Sequence, residues 1–179
     1  MRGRLFAIVG PSGVGKDTLI AGAVAGLPGL HRARRTITRP PAESEDFESL
    51  NEAEFHAALA GGEFALSWPA HGLFYGIRAA EFAPLARGQD VIFNGSRQAL
   101  GAARAAFADL RVIEITVSPQ VLAARLAARG RESEGEIAAR LERAALPLPE
   151  GIAATRIFND TTPEAGVAAL IAALQPESV

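Results

Sequence analysis

Residues 10–17 read Gly-Pro-Ser-Gly-Val-Gly-Lys-Asp, and glycines at that spacing ahead of a lysine suit a loop that wraps phosphate. Gly10, Gly13 and Gly15 let the backbone curl until successive amides point at phosphate oxygens. A helix starting directly afterwards adds its positive end to the same anion. Lys16 then reaches the outer phosphates and neutralises charge that develops as a phosphoryl group moves. The run Gly10, Pro11, Ser12, Gly13, Val14, Gly15, Lys16, Asp17 and Thr18 is assigned to a nucleotide on this reading. Of the 18 cationic residues, Lys16 is the only lysine and the others are Arg. Such loops close on Ser or Thr, whose hydroxyl holds a magnesium ion, whereas here Asp17 stands there with Thr18 behind it. Asp17 is either a metal ligand, directly or through water, or an acid that complements the helix dipole. The metal reading is preferred, because the apolar run Val91 to Phe93 ends in Asn94-Gly-Ser-Arg and offers no carboxylate of its own.

Positioning such a loop requires a buried strand before it and a helix after it. The run Leu5 to Val9 supplies the strand, and a helix begins around Thr18 to Ala25. Short apolar runs alternate with amphipathic stretches along the chain, the pattern of an α/β domain with a parallel sheet. Further strands are expected at Val91–Phe93, Arg111–Val117 and Thr155–Phe158. Helices are expected at Ala79–Ala86, Gln98–Phe107, Gln120–Ala128, Glu134–Ala145 and Pro163–Leu174. Between residues 31 and 77 the chain turns polar. An ordered loop with a short strand at Thr36–Thr38 is expected there, then a helix over Glu52–Ala60 capped by Asn51 and Glu54. Phe64–Trp68 and Leu73–Ile77 read as a hairpin. The chain is expected to be one domain, with a core of residues 1–30 and 78–179 and a grafted lobe at about 31–77.

With 179 residues, 49% of them hydrophobic, one core can bury roughly 70% of the unfolded chain's surface, so no disulfide or structural metal is needed. The absence of cysteine excludes thiol nucleophiles and Cys-ligated zinc. A net charge of −2 argues against a general nucleic-acid binder. The cluster Arg32, Arg34, Arg35 and Arg39 also lacks the interleaved aromatics of a nucleic-acid surface. No apolar run approaches the roughly 20 residues of a membrane span. Nothing at the start reads as a signal peptide. The expectation is a soluble cytoplasmic protein.

The order GPSGVGKD, Thr36-Ile-Thr-Arg-Pro, EFALSW, HGLFYGI, LAARGRESEGEIAARL and Phe158-Asn-Asp resembles the guanylate kinase family across nearly the whole chain. That resemblance implies a P-loop NTPase fold using ATP and Mg2+. It also implies that Arg39 binds the acceptor's phosphate, that Tyr75-Gly76 lies in the acceptor lobe, and that about 125–143 is a mobile lid. Arginine suits a lid because its planar fork gives two bonds to a phosphate and stays charged when desolvated. Arg129, Arg131 and Arg140 are the lid cations assigned to the transferring phosphate, while Arg125 and Arg143 read as solvated surface.

The departures narrow the acceptor. Where guanylate kinases carry Glu to read the guanine edge this chain has Ser67, and Ala42 and Phe47 replace a second phosphate-binding Arg and a Tyr. Losing buried acceptors for guanine costs much of the discrimination for that base. Together with GKD, the acidic EDF at Glu45 to Phe47, HGLFYGI and VIFNGSR, this is similar to the ribose 1,5-bisphosphate phosphokinases of phosphonate degradation. The resemblance implies phosphoryl transfer from ATP to ribose 1,5-bisphosphate, giving 5-phospho-α-D-ribose 1-diphosphate. Arg35 and Arg39 are assigned to its two phosphates, with Tyr75, Asn94 and Arg97 as further substrate residues. Glu45, Asp46, Ser67, His71 and Asn94 are the polar groups considered for the sugar hydroxyls. A nucleoside monophosphate kinase and a catalytically silent interaction module are the alternatives. The sequence leaves a homodimer open.

Overall fold

In the computed structural model, which describes residues 2–41, 46–130 and 132–175, the run Leu5–Val9 forms β1 and every one of its residues is buried. An unbroken apolar run is stable there because both faces of a central parallel strand are covered. α1 (Lys16–Gly26) follows the glycine-rich turn. Three short strands come next: β2 (His31–Arg32), β3 (Arg35–Ile37) and β4 (Phe47–Ser49). α2 (Glu52–Ala60) opens on the expected capping box, with the Glu54 amide donating to Asn51 Oδ1 and the Asn51 amide to Glu54 Oε2, both at 2.9 Å. β5 (Phe64–Ala70) and β6 (Leu73–Arg78) form the hairpin. Its loop residues His71 and Gly72 have φ of 53° and 72°, as a two-residue turn matched to strand twist requires. The remaining elements are β7 (Val91–Asn94), α3 (Leu100–Ala106), β8 (Arg111–Thr116), α4 (Pro119–Arg129), α5 (Glu134–Ala144), β9 (Thr155–Phe158) and α6 (Pro163–Leu174).

Two sheets organise these elements. The core sheet has the order β2-β7-β1-β8-β9, with all pairings parallel. Alternation along β1 divides the core. Phe6 and Ile8 pack with Leu19 and Ile20 of α1, Leu122 and Leu126 of α4 and Leu170 of α6. Leu5, Ala7 and Val9 pack on the opposite face with Leu66, Trp68, Ile77 and Leu100. The second sheet has the order β4-β3-β6-β5. α2 covers one of its faces, where Phe55 stacks on Phe64 with ring centroids 4.7 Å apart.

The structure corrects several boundaries. The expected loop with one strand contains three, because β2 pairs with β7 and β3 with β6, partners too distant in sequence for local pattern to reveal. His31 and Arg32 therefore belong to the core sheet, and the lobe sheet runs from Arg35 to Arg78. The helix expected at 79–86 is a 3₁₀ segment, Ala79–Arg87, with Pro84 inside it. Proline has no amide to continue an α-helical ladder. Likewise Arg97–Ala99 is a 3₁₀ turn leading into α3. Among the described residues, no helix is long and apolar enough to cross a membrane.

Candidate active site

The glycine-rich loop lies at the C-terminal end of β1. Gly10, Gly13 and Gly15 have φ of 147°, 90° and 94°, a region L side chains seldom enter. At Gly10 space excludes a side chain as well, since a Cβ would stand 2.1 Å from the Ile115 carbonyl oxygen on β8. Pro11 and Val14 are buried and Ser12 is exposed at the outer bend. Gly15 is the N-cap of α1 and no side chain caps it, so the first amides of the helix keep their affinity for an anion.

Lys16 folds back along the loop, its Nζ donating to the carbonyls of Gly10 at 2.8 Å and Pro11 at 2.9 Å. An ammonium has three protons, so one remains for a phosphate oxygen while two hold the loop closed. Burial pushes the Lys16 pKa down to about 8; Asp17 pulls against this, while Arg35 and Arg97 push the same way as burial. A phosphate anion at this point restores the charged form.

Asp17 faces sideways toward β7 and β2. Its Oδ1 accepts from Asn94 Nδ2 and from an Arg32 terminal nitrogen, each at 2.9 Å, and its Oδ2 lies 3.6 Å from Arg35. A carboxylate only accepts, so it dictates which way the Asn94 amide points. Asn94 is 5% exposed, and its Oδ1 has no hydrogen-bond partner among the described residues. Thr18 is exposed in the first turn of α1. Among the described residues no three His, Asp or Glu side chains gather as a metal cluster. Magnesium nonetheless needs only one or two protein oxygens beside waters and substrate phosphates. Asp17 supplies such an oxygen and fits an ion held mainly by a nucleotide.

On the lobe, the Arg35 guanidinium stands 5.9 Å from the Tyr75 ring centroid, and Tyr75 stacks on Trp68 at 5.7 Å with planes 8° apart. Arg35 and Tyr75 are thus brought toward the loop through Asp17. Arg39 lies 4.7 Å over the Phe47 ring, and its carbonyl accepts from Ser49 Oγ. Of the polar groups named for a sugar, Asn94 is the one bonded to the phosphate loop. Asp46 pairs with Arg34 at 2.8 Å, His71 forms the hairpin tip and Ser67 sits opposite Gly76. Ala42 and Glu45 lie outside the described residues.

A separate charged network holds the lobe together. Glu48 accepts from Arg78 at 2.7 and 2.9 Å and from Thr36 Oγ1 at 2.6 Å, and Arg78 also pairs with Glu63. The Arg78 hydrogen bonds above all hold the Glu48 carboxyl below its usual range, with Thr36 assisting against burial. The cavity of about 150 Å³ lined by Arg34, Thr36, Glu48, Arg78 and Glu81 belongs to this network. Of its other charges, Arg34 pairs with Asp46 and Glu81 with His31 of β2 at 3.0 Å.

Arg129 ends α4, and one of its terminal nitrogens stands 3.7 Å from where a Cβ on Gly13 would be. Arg140 on α5 pairs with Glu132 at 2.7 Å. Arg131 lies outside the described residues. Arg97, expected at the substrate, donates within the chain to the carbonyls of Arg143 at 2.7 Å, Ala144 at 3.4 Å and Leu146. Arg125 is not mere surface either, since it donates to the Asn159 carbonyl at 2.6 Å. Asn159 Nδ2 in turn donates to the Val14 carbonyl at 2.8 Å, bracing the loop from behind. The motif Phe158-Asn-Asp marked this position without revealing that contact, which spans 145 residues of chain.

No family model matches the chain. It is 50% identical over 153 residues to ribose 1,5-bisphosphate phosphokinase PhnN of Ruegeria sp. (strain TM1040), covering 84% of this chain and 80% of that protein. To the protein of the same name from Acidiphilium cryptum it is 46% identical over 175 residues, covering 96% and 92%. A bifunctional ribose 1,5-bisphosphokinase-thymidine phosphorylase of Azorhizobium caulinodans is 49% identical over 176 residues, but the chain spans 25% of that longer protein. Among solved structures, guanylate kinase from Anaplasma phagocytophilum superposes with a TM-score of 0.70 at 18% identity, covering 97% of this chain and 85% of that one, which establishes the fold. With about half its residues shared along most of both chains, this protein belongs to the ribose 1,5-bisphosphate phosphokinase family, built on a guanylate kinase-like P-loop fold.

Proposed function

We propose that the chain transfers the γ-phosphoryl group of ATP to the 1-phosphate of ribose 1,5-bisphosphate, releasing ADP and 5-phospho-α-D-ribose 1-diphosphate. An oxygen of the 1-phosphate forms the new bond to the γ-phosphorus as the bond to the β–γ bridging oxygen breaks. That oxygen is already ionised near neutral pH, so no general base is required, and catalysis rests on in-line positioning and charge neutralisation. Lys16 and the loop amides hold the donor phosphates. Arg129, Arg131 and Arg140 cover the moving group, and Arg35, Arg39 and Tyr75 hold the acceptor. Asp17 takes part in holding Mg2+, which supplies further neutralisation across the phosphates.

Family membership carries this reading, and one feature of the site agrees with it specifically. The end of β7 presents Asn94, whose Nδ2 is spent on Asp17, leaving a buried carbonyl oxygen suited to a hydroxyl proton from the sugar. A guanine-reading site would need carboxylate acceptors, and neither Ser67 nor Asn94 is one. The activity fits phosphonate breakdown in the cytoplasm, with ribose 1,5-bisphosphate as its intermediate.

The test is ADP release with ATP and Mg2+ against ribose 1,5-bisphosphate, GMP, AMP, CMP and UMP. Turnover of the ribose ester in preference to every nucleotide is expected. Fast turnover of GMP with none of the ester makes the protein a nucleotide kinase. If no acceptor is turned over and ATP does not raise the melting temperature, a catalytically silent module is the better description.

A further inference from the structure

We propose that Arg97 is the anchor of the lid: a positioning residue that pins the C-terminal turn of α5 beside the phosphate loop and thereby sets where Arg140 stands during transfer. The role rests on the phosphoryl-transfer reading above, but the anchoring itself is measurable without substrate.

The last carbonyls of a helix have no donor within it. α5 does not end on a left-handed glycine; its C-cap is Ala145 in the right-handed region. Besides the Ala145 and Leu146 amides, which donate to the Arg143 carbonyl, a side chain holds its end. The Arg97 guanidinium gives one terminal nitrogen to the Arg143 carbonyl and the other to those of Ala144 and Leu146. A planar fork suits this task, and a cation there also complements the helix dipole. The anchor matters because, among the described residues, the packing of α5 is shallow. None of its residues is fully buried, and its apolar side, with Ile137, Leu141 and Ala144, is only partly covered by the core. At its other end the chain passes through Gly130, left-handed at φ 61°, a natural pivot. Arg140 and Ala144 are four residues apart and therefore share one face of the helix. Fixing the Ala144 carbonyl fixes the backbone that carries Arg140.

The same strand end serves both sides of the site. Three residues before Arg97, Asn94 holds Asp17 of the phosphate loop. Arg97 is also one of the two cations that push the Lys16 ammonium down, which puts it within electrostatic reach of the loop. The segment after β7 thus ties the loop and the lid to one rigid support.

Two measurements on Arg97→Met and Arg97→Lys decide the matter. Amide hydrogen exchange in the free protein is expected to speed up in α5 for Arg97→Met, with α4 and α6 unchanged, and to recover in part for Arg97→Lys. In steady state kcat for the ribose ester is expected to fall by roughly 10- to 100-fold, the loss that a displacement of about 1 Å can produce, with both KM values nearly unchanged. ATP hydrolysis without acceptor is expected to rise relative to transfer, because a loose lid admits water. A tenfold higher KM for the ester at unchanged kcat overturns the proposal and makes Arg97 a substrate ligand. Unchanged exchange in α5 overturns it too. Failure of the unaltered protein to use the ester sinks the functional reading while leaving the exchange result to stand or fall alone.

Discussion

Asn94 Nδ2 donates to Asp17 Oδ1 at 2.9 Å across 77 residues of chain, joining the end of β7 to the end of the phosphate loop. The loop carries the acid and the strand carries its amide partner. Arg32 converges on the same oxygen and Arg35 approaches the other, so this one carboxylate links the glycine-rich loop to the lobe.

Asp17→Asn tests what that carboxylate does. If it helps hold Mg2+, the concentration for half-maximal turnover rises by about tenfold, a loss of about 1.4 kcal/mol, with a smaller change in KM for ribose 1,5-bisphosphate. An unchanged Mg2+ titration with a raised acceptor KM assigns Asp17 to holding Arg32 and Arg35 instead.

Lys16 predicts a pH profile. Its free-protein pKa is depressed from 10.5 to about 8, and the charged form is the one that meets phosphate. kcat/KM for ATP, which reports the free enzyme, therefore falls as pH rises through about 8. The limb in kcat lies higher, because bound phosphate favours the ammonium. Lys16→Arg keeps its charge throughout and removes the limb, while the bulkier fork lowers turnover at pH 7. Linkage gives a second check. The unfolded chain binds more protons than the folded one between pH 8 and 10.5, so this group's contribution makes stability rise with pH across that window.

Two glycines predict opposite outcomes. Gly10→Ala places a Cβ 2.1 Å from the Ile115 carbonyl oxygen, and the backbone must shift. A loss of about 3 kcal/mol or more is expected, together with loss of the melting-temperature rise on adding ATP. Gly101 lies inside α3 with open space around it, and Gly101→Ala should stabilise by about 0.5–1 kcal/mol. Thermal melts with and without ATP separate the two.

Arg78 holds Glu48 in the lobe, and its hydrogen bonds are the chief reason the Glu48 carboxyl titrates below 4.5. A depressed carboxylate stabilises the fold above its unfolded value and loses that contribution as pH falls through the lower folded value. Arg78→Met is therefore expected to lower the melting temperature clearly at pH 7 and much less at pH 3. Equal losses at both pH values show that the contact with the Phe64 ring, 5.5 Å away, is what matters.

The legible parts of the protein were those written in contiguous residues. The strand–loop–helix order around GPSGVGKD, the capping box at Asn51 and Glu54, the strand Thr155–Phe158 and the helix Pro163–Leu174 all follow from local pattern, because apolar period, capping oxygen and glycine placement act within a few residues. Even the lone lysine was readable, since one slim ammonium among arginines falls at the one position where it can extend along a loop.

Contacts between distant segments were not legible. Asn159 behind Val14, Arg97 on the end of α5 and Arg125 on Asn159 are hydrogen bonds to backbone carbonyls, and every residue carries one, so the partner leaves no mark on the sequence. The same is true of β2, only two residues long and defined by its pairing with β7. The sequence by itself determined where the glycine-rich loop lies and which strand and helix flank it. Only the tertiary structure decided which partner each arginine meets, because a guanidinium's contacts depend on the acceptor that chain folding brings within 3 Å or so of it.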